Sequence, residues 1–272
     1  MTAPLAAPML SAMFELLQFT DLHITRSAGE CLRGIDTRDS LDAVYARALL
    51  CHPAPGALLL TGDIADDGSH EAYEHIRQVF ADAPCPVLAI PGNHDDPAAL
   101  RKVLSGAPFV TEGMHLLGEH WCARLLDSHL PGAVGGRLTA ASLAQLDEAK
   151  TDDSGRHQLL ALHHPPVALG STWMDSIGLE EPQRLLDVVA STASVRAVVW
   201  GHAHQRYDDR RDGAHLLCTP STCVQFAPRQ AEFGTDSTRG PGYRHLRLHD
   251  NGDIDTQVVW LPFNTGARAL SA

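Results

Sequence analysis

Five short apolar runs in this chain each end on a cluster of Asp, His or Asn. Phe14 to Thr20 leads into Asp21-Leu22-His23, Ala57 to Thr61 into Gly62-Asp63, and Val87 to Ile90 into Gly92-Asn93-His94-Asp95. Gln158 to His163 ends on His163-His164, and Val195 to Trp200 runs into Gly201-His202-Ala203-His204. Apolar runs of this length, bounded by Gly and polar residues, read as buried strands. In open α/β sheets the carboxyl ends of the strands border a common crevice. The order of the sequence therefore delivers Asp, His and Asn side chains from five segments to one edge.

Helical spacing fills the gaps between these runs. Ser40 to Leu50 places Leu41, Val44, Tyr45, Ala48 and Leu49 on one side, and Ser69 is an N-cap ahead of a face made by Tyr73, Ile76, Val79 and Phe80. Further helices are expected over Ala140 to Lys150, capped by Thr139, and over Glu181 to Thr192. Met114 to Glu119 and Ala123 to Asp127 read as strands. After Trp200 only strands are expected: Ala214 to Thr219, Tyr243 to His249 and Ile254 to Leu261, the last two joined across Asn251-Gly252 as a hairpin. A βαβ-rich part followed by a strand-rich tail from about residue 200 predicts an α/β fold of two packed sheets with helices outside. No repeat or linker divides the chain, so residues 1–272 are expected to form a single domain, with 1–13 a loose leader.

Bulk properties narrow the function classes. Hydrophobic residues make up 44% and charged residues 20%, enough apolar side chain for a sizeable core. A net charge of −12 excludes extended contact with nucleic-acid polymers, which needs a basic face. It does not exclude a small phosphate ester, because bound cations reverse the field locally. Cys31, Cys51, Cys85, Cys122, Cys218 and Cys223 form no C-x-x-C pair and read as thiols in a reducing compartment. Met1 to Gln18 holds no Lys or Arg and is interrupted by Glu15, which fits neither a signal peptide nor a membrane span. A cytoplasmic protein with no membrane association is the expectation.

Carboxylate, imidazole and amide oxygen are ligands for Mn, Fe or Zn, and the absence of Cys from the clusters disfavours a structural zinc finger. Asp21, His23, Asp63, Asn93, His163, His202 and His204 are more donors than one ion needs. Two cations about 3.5–4 Å apart are the economical reading. Phosphate-loop, dinucleotide and serine-hydrolase motifs are missing.

Taken together, Asp21-x-His23, Gly62-Asp63, Gly92-Asn93-His94-Asp95, His163 and Gly201-His-Ala-His204 resemble the signature of the calcineurin-like metallophosphoesterase superfamily. The resemblance implies a four-layer α/β/β/α sandwich around two divalent ions, Fe and/or Mn, with Zn as a further option. It implies that Asp21, His23, Asp63 and His204 hold the first ion and that Asp63, Asn93, His163 and His202 hold the second, with Asp63 bridging.

The stretches Leu32 to Thr37, His163 to Val167, Ser171 to Asp175 and Pro220 to Phe226 further resemble bacterial class III 3',5'-cyclic AMP phosphodiesterases. Hydrolysis of cyclic AMP to 5'-AMP through a metal-bridging hydroxide is the activity so implied, in a monomer or homodimer. His23, Asp63, Asn93, His94 and His204 would face the substrate. His94 would protonate or stabilise the leaving 3' oxygen, its ring oriented by Asp66 or Asp95. Trp173, Met174 and Phe226 could cover a base but read better as packing, and Arg33 and Arg206 read as surface residues. Two alternatives share the fold: a phosphodiesterase for another small diester, such as a 2',3'-cyclic nucleotide or a glycerophosphodiester, and a non-catalytic scaffold. The complete donor set disfavours the scaffold.

Overall fold

A computed structural model describes residues 13–262. The expected leader lies outside these residues except for Met13, which opens the first strand. In chain order the elements are β1 (Met13–Phe19), β2 (Cys31–Leu32), β3 (Ile35–Asp36), α1 (Thr37–Cys51), β4 (Ala57–Thr61), α2 (His70–Val79) and β5 (Val87–Ile90). There follow α3 (Pro97–Val103), β6 (Phe109–Val110), β7 (Gly113–Leu117), β8 (Trp121–Leu125), α4 (Ala140–Thr151) and β9 (His157–Ala161). The chain continues through α5 (Thr172–Asp175), α6 (Gln183–Ser191), β10 (Val195–Trp200), β11 (Tyr207–Arg211), β12 (Ala214–Cys218), β13 (Gly242–His249) and β14 (Ile254–Trp260). Every strand and helix expected from periodicity is present, and no helix follows Trp200 among the described residues. The short elements β2, β3, β6, α3 and α5 and the edge strand β11 are additional.

Two six-stranded sheets carry the architecture, ordered β14-β13-β1-β4-β5-β6 and β11-β12-β10-β9-β8-β7. Each has parallel strands at its centre; the first carries an antiparallel hairpin, β13–β14, at one edge, and the second carries one at each edge, β11–β12 and β7–β8. Because side chains alternate along a strand, each central strand feeds two apolar layers. Leu16, Leu59, Leu88 and Leu246 meet Trp121, Leu159, Val199 and Leu217 between the sheets. Leu17, Leu58, Leu60 and Val87 face the other way and pack on Leu41 and Val44 of α1, Ile76 of α2 and Leu100 of α3. Leu160, Val198 and Leu216 pack on Leu146 of α4 and on Leu185 and Val189 of α6. These layers make the α/β/β/α sandwich.

Polar side chains fasten the two sheets to each other close to the strand ends. The Gln18 amide donates to Thr61 Oγ1 (2.9 Å) and to the Trp200 carbonyl (3.2 Å), and accepts from Thr219 Oγ1 (2.6 Å). Fully buried Arg244 on β13 donates to the Cys218 carbonyl (2.7 Å) and to Thr219 Oγ1 (3.1 Å) across the gap, and pairs with Asp208 (2.7 Å). A buried guanidinium is tolerated when its donors are satisfied in this way.

Helix caps follow the sequence. Thr139 accepts from the Ser142 N–H at the start of α4, and Asp36 accepts from the Arg38 and Asp39 N–H groups at the start of α1. Ser69 is the N-cap of α2 by position, but its side chain makes no cap bond, and Asp67 instead accepts from the Ser69 N–H. No helix among the described residues is long and apolar enough to cross a membrane. Leu59→Ala, which opens a cavity in the layer between the sheets, is expected to cost about 2–5 kcal/mol of stability. Urea unfolding tests this, and an unchanged midpoint would show that the layer does not carry the fold.

Candidate metal centre

Asp21, Asp63 and Asn93 follow β1, β4 and β5 of one sheet, while His163, His202 and His204 follow β9 and β10 of the other. The polar fastening at Gln18 lies just behind them, so the same contacts that join the sheets bring the two rows of donors together. The strand ends turn abruptly. Asp21, His23, Asp63, His202 and His204 all adopt left-handed backbone, with φ of 51°, 46°, 48°, 64° and 46°. They are five of the nine non-glycine residues in this region of φ among the described residues. Such conformations cost of order 1–3 kcal/mol each and persist where the surroundings impose them. Here backbone bonds from the Asp21 N–H to the Gly62 carbonyl (3.0 Å) and from the His23 N–H to the Asp63 carbonyl (2.8 Å) fix the turns. Glycines give the loops room: a Cβ at Gly62 would enter the His163 ring, and one at Gly92 would overlap Asp63 Oδ1.

The donor atoms converge. His23 Nε2 and His163 Nε2 lie 3.6 and 3.4 Å from the same oxygen, Asp63 Oδ2. His204 Nε2 lies 3.4 Å from Asp21 Oδ1 and 3.1 Å from His23 Nε2, and Asn93 Oδ1 lies 3.2 Å from His163 Nε2. Two ligands bound to one ion at about 2.1 Å sit roughly 3.0–3.5 Å apart, which is the spacing found. Asp63 Oδ2 lies between one group of candidate donors, Asp21, His23 and His204, and another, Asn93 and His163. His202 completes the second group by its ring contact with His163, at 5.1 Å between centroids. Its Nε2 is buried and has no hydrogen-bond partner. An orphaned buried nitrogen amid buried carboxylates fits a cation, and the N/O donor set suits a first-row transition ion.

Contacts behind the donors aim them. His163 donates Nδ1–H to the Thr61 carbonyl (2.7 Å) and His204 donates Nδ1–H to the Val224 carbonyl (2.7 Å). His23 donates Nδ1–H to Asp66 (3.1 Å). Each bond leaves Nε2 for the centre, the usual arrangement for a ligating imidazole. The ring of Phe226 stacks on His204 at 3.9 Å.

Charge within the cluster is shared between carboxylates and imidazoles. Burial pushes the Asp63 carboxyl upward, but His163, His23 and His94 together hold the group well below the ordinary range. In turn, burial depresses His163, while the Asp63 carboxylate overrides it and raises the imidazole to about 9. Burial and then the neighbouring His164 and His163 keep His202 far below its usual value, hence neutral with a lone pair to give. Burial also brings His164 down to about 3.

The seven expected donors are therefore all brought to one place, and His94 stands beside them. Its ring meets that of His23 edge-on at 4.7 Å, and its Nδ1–H donates to the Asp66 carbonyl (2.7 Å). The Asp66 carboxylate itself serves His23, lying 3.8 Å from His94. Asp95 is a correction to the expectation. Its carboxylate is buried and fully used by the N–H groups of Ile64, Ala65 and Gly92 and by the Tyr73 hydroxyl, so it ties two loops together and does not orient His94.

His164 packs against His163 and His202, but both of its ring nitrogens are engaged, with Ser128 Oγ (2.8 Å) and the Val134 carbonyl (3.1 Å). Met174 is core, while Trp173 and Phe226 form a cluster with Phe233, as the packing reading expects. Arg206 pairs with Asp208 on the surface, and Arg33 lies over the Phe233 ring at 4.5 Å.

Comparison with known proteins agrees with this geometry. The chain is 39% identical over 251 residues to the 3',5'-cyclic adenosine monophosphate phosphodiesterase CpdA of Pseudomonas aeruginosa, covering 92% of this chain and 91% of that protein. It is 38% identical over 259 residues to the protein of the same name from Escherichia coli K12, covering 95% and 92%. Among solved structures, a dimetal phosphatase from Danio rerio matches 91% of this chain and 98% of its own with a TM-score of 0.63 at 15% identity, a likeness of fold. The calcineurin-like phosphoesterase family model matches residues 14–206. With that match over most of its length and the converging donors at its strand ends, the chain belongs to the calcineurin-like phosphoesterase family.

Proposed function

We propose that this protein hydrolyses 3',5'-cyclic AMP to 5'-AMP in the cytoplasm, with two divalent ions, Fe and/or Mn, at the centre. The observation that carries the reading is the placement of Asp63 Oδ2 between His23 Nε2 and His163 Nε2, each flanked by further buried donors. The substrate follows from the relatives, which are named as cyclic AMP phosphodiesterases and align over about nine-tenths of the chain.

Asp21, His23, Asp63 and His204 would hold one ion and Asp63, Asn93, His163 and His202 the other. When bound, such a pair acidifies water into a nucleophile and neutralises phosphate charge. The chain itself supplies position and protons. Hydrolysis adds water across the bond from phosphorus to O3', so O3' departs needing one proton. His94 gives its Nδ1–H to the Asp66 carbonyl, which leaves Nε2 as the atom that can carry that proton to the leaving oxygen. The Asp66 carboxylate orients His23 and lies 3.8 Å from His94 Nδ1. The His94 N–H donates to Asp63 Oδ1 (2.9 Å), so the proton donor and the bridging carboxylate are held in register.

The metal-reconstituted enzyme is expected to convert cyclic AMP to 5'-AMP, and Asn93→Ala is expected to lose activity at least ~100-fold. Cleavage of bis-p-nitrophenyl phosphate without cyclic AMP turnover would keep the metal centre and reject the substrate in favour of another small diester. No turnover of either substrate with both ions bound would point to a scaffold.

His94→Gln should lower kcat for cyclic AMP by roughly 10²–10⁴ at unchanged metal content. It should spare bis-p-nitrophenyl phosphate, whose leaving group needs no proton. Equal losses on both substrates would overturn the assignment of His94 as acid.

Metal uptake should also release protons. In the metal-free protein His163 is protonated below about 9, so protons compete with the second ion. Its apparent affinity should rise about tenfold per pH unit from 7 toward 9. Calorimetry in buffers of different ionisation enthalpy measures this, and pH-independent binding would contradict the role of His163.

A further inference from the structure

A second group of metal-binding side chains stands at the opposite end of β1. Glu15 on β1, His245 on β13 and His52 at the C-terminal end of α1 converge on the outer face of the first sheet, where one ligand atom of each lies within 4.8 Å of the others. Glu15 and His245 share that face because Leu17 is the register partner of His245, and alternation places Glu15 and Leu17 on the same side. The two imidazole centroids lie 3.9 Å apart, with the rings tilted by 38° to each other.

Two buried nitrogens of this cluster, His52 Nε2 and His245 Nε2, have no hydrogen-bond partner. His245 is 6% exposed, and its Nε2 faces Glu15 Oε1 as an ion-pair contact at 3.5 Å without a well-formed hydrogen bond. His52 Nε2 is likewise buried without a partner. A separation of 3.5 Å is too long for a hydrogen bond, yet it matches the edge of a tetrahedron with bonds of about 2.1 Å. Burial, and then the second imidazole, hold His245 below its ordinary pKa, so its lone pair is free at neutral pH. The remaining cation at the site, Arg247, is paired with Asp255 at 3.0 Å. An open cavity of about 500 Å³ lies over the cluster, leaving room for water or a small ligand to complete a coordination sphere.

We propose that Glu15, His52 and His245 form a third metal site, for a single Zn²⁺-class transition ion, ~20 Å along β1 from the dinuclear centre. Two imidazoles and one carboxylate with an open position make a donor set that binds Zn²⁺ well. The ion would tie the end of α1 to the neighbouring strands β1 and β13. It takes no part in the phosphoester chemistry.

The test is a metal count with Zn²⁺ as the probe. Full-length protein with its dinuclear centre loaded is equilibrated with Zn²⁺, freed of loose metal, and total metal per chain is measured for wild type, His52→Ala and Glu15→Gln. Three ions per wild-type chain and two in each variant are expected, with the circular dichroism of all three proteins the same. Glu15→Gln preserves side-chain shape and keeps the comparison valid should His52→Ala unfold. Equal metal content in the wild type and in both variants would overturn the proposal, whatever the occupancy of the dinuclear centre. Because the readout is a difference in metal content, it stands or falls independently of cyclic AMP hydrolysis.

Discussion

Asp21 and Asp63 are carboxylates withdrawn almost entirely from water, and no lysine or arginine among the described residues pairs with either. Isolated buried anions are costly enough that the surroundings must answer them. The answer is distributed. The His202 N–H serves both oxygens of Asp21, at 2.9 and 3.0 Å, the His94 N–H serves Asp63, and three imidazoles press their Nε2 atoms against the carboxylate oxygens. Everything else at the strand ends follows from housing those two charges. Glycines make space for them, left-handed turns swing the donors inward, and polar contacts such as those of Gln18 hold the sheets at the right separation.

The two sheets divide the labour. The first contributes every carboxylate and amide donor together with His23, and the second contributes His163, His202 and His204. Neither row can act alone, so the packing layer of Leu59, Val199 and Leu217 is also the scaffold that sets the distance between them. The Asp95 carboxylate extends this logic within the first sheet. By gathering the N–H groups of Ile64, Ala65 and Gly92 with the Tyr73 hydroxyl, it locks the loop carrying Asp63 to the loop carrying Asn93. The spacing of those two donors is thus built in before any cation arrives.

Most of this was legible in the sequence because each donor is announced by its own residue type at the end of an apolar run. Asp21, Asp63 and His202 stand out for that reason. The orienting groups do not, since the carbonyls of Thr61 and Val224 belong to the backbone and any side chain could sit above them. Asp66 and Asp95 have the same chemistry and differ only in what surrounds them, which explains why their roles could not be separated before the loops were placed. Among the elements, α3 is too short at seven residues to display a period, although Asp96 followed by Pro97 is a proper helix start. Strand β11, Tyr-Asp-Asp-Arg-Arg, has the charge of a loop because it lies at a sheet edge, where charged residues discourage pairing with other chains.

The left-handed turns carry a consequence for descent. Asp21, His23, Asp63, His202 and His204 hold a backbone geometry that glycine adopts at no steric cost. Once selection on chemistry is relaxed, replacement by glycine relieves strain at each of these positions and removes a buried charge at two of them. The machinery therefore works against the stability of its own framework. A lineage of this fold that abandons hydrolysis for some other task should shed these residues quickly, and a descendant that still carries all five bears the mark of continued use.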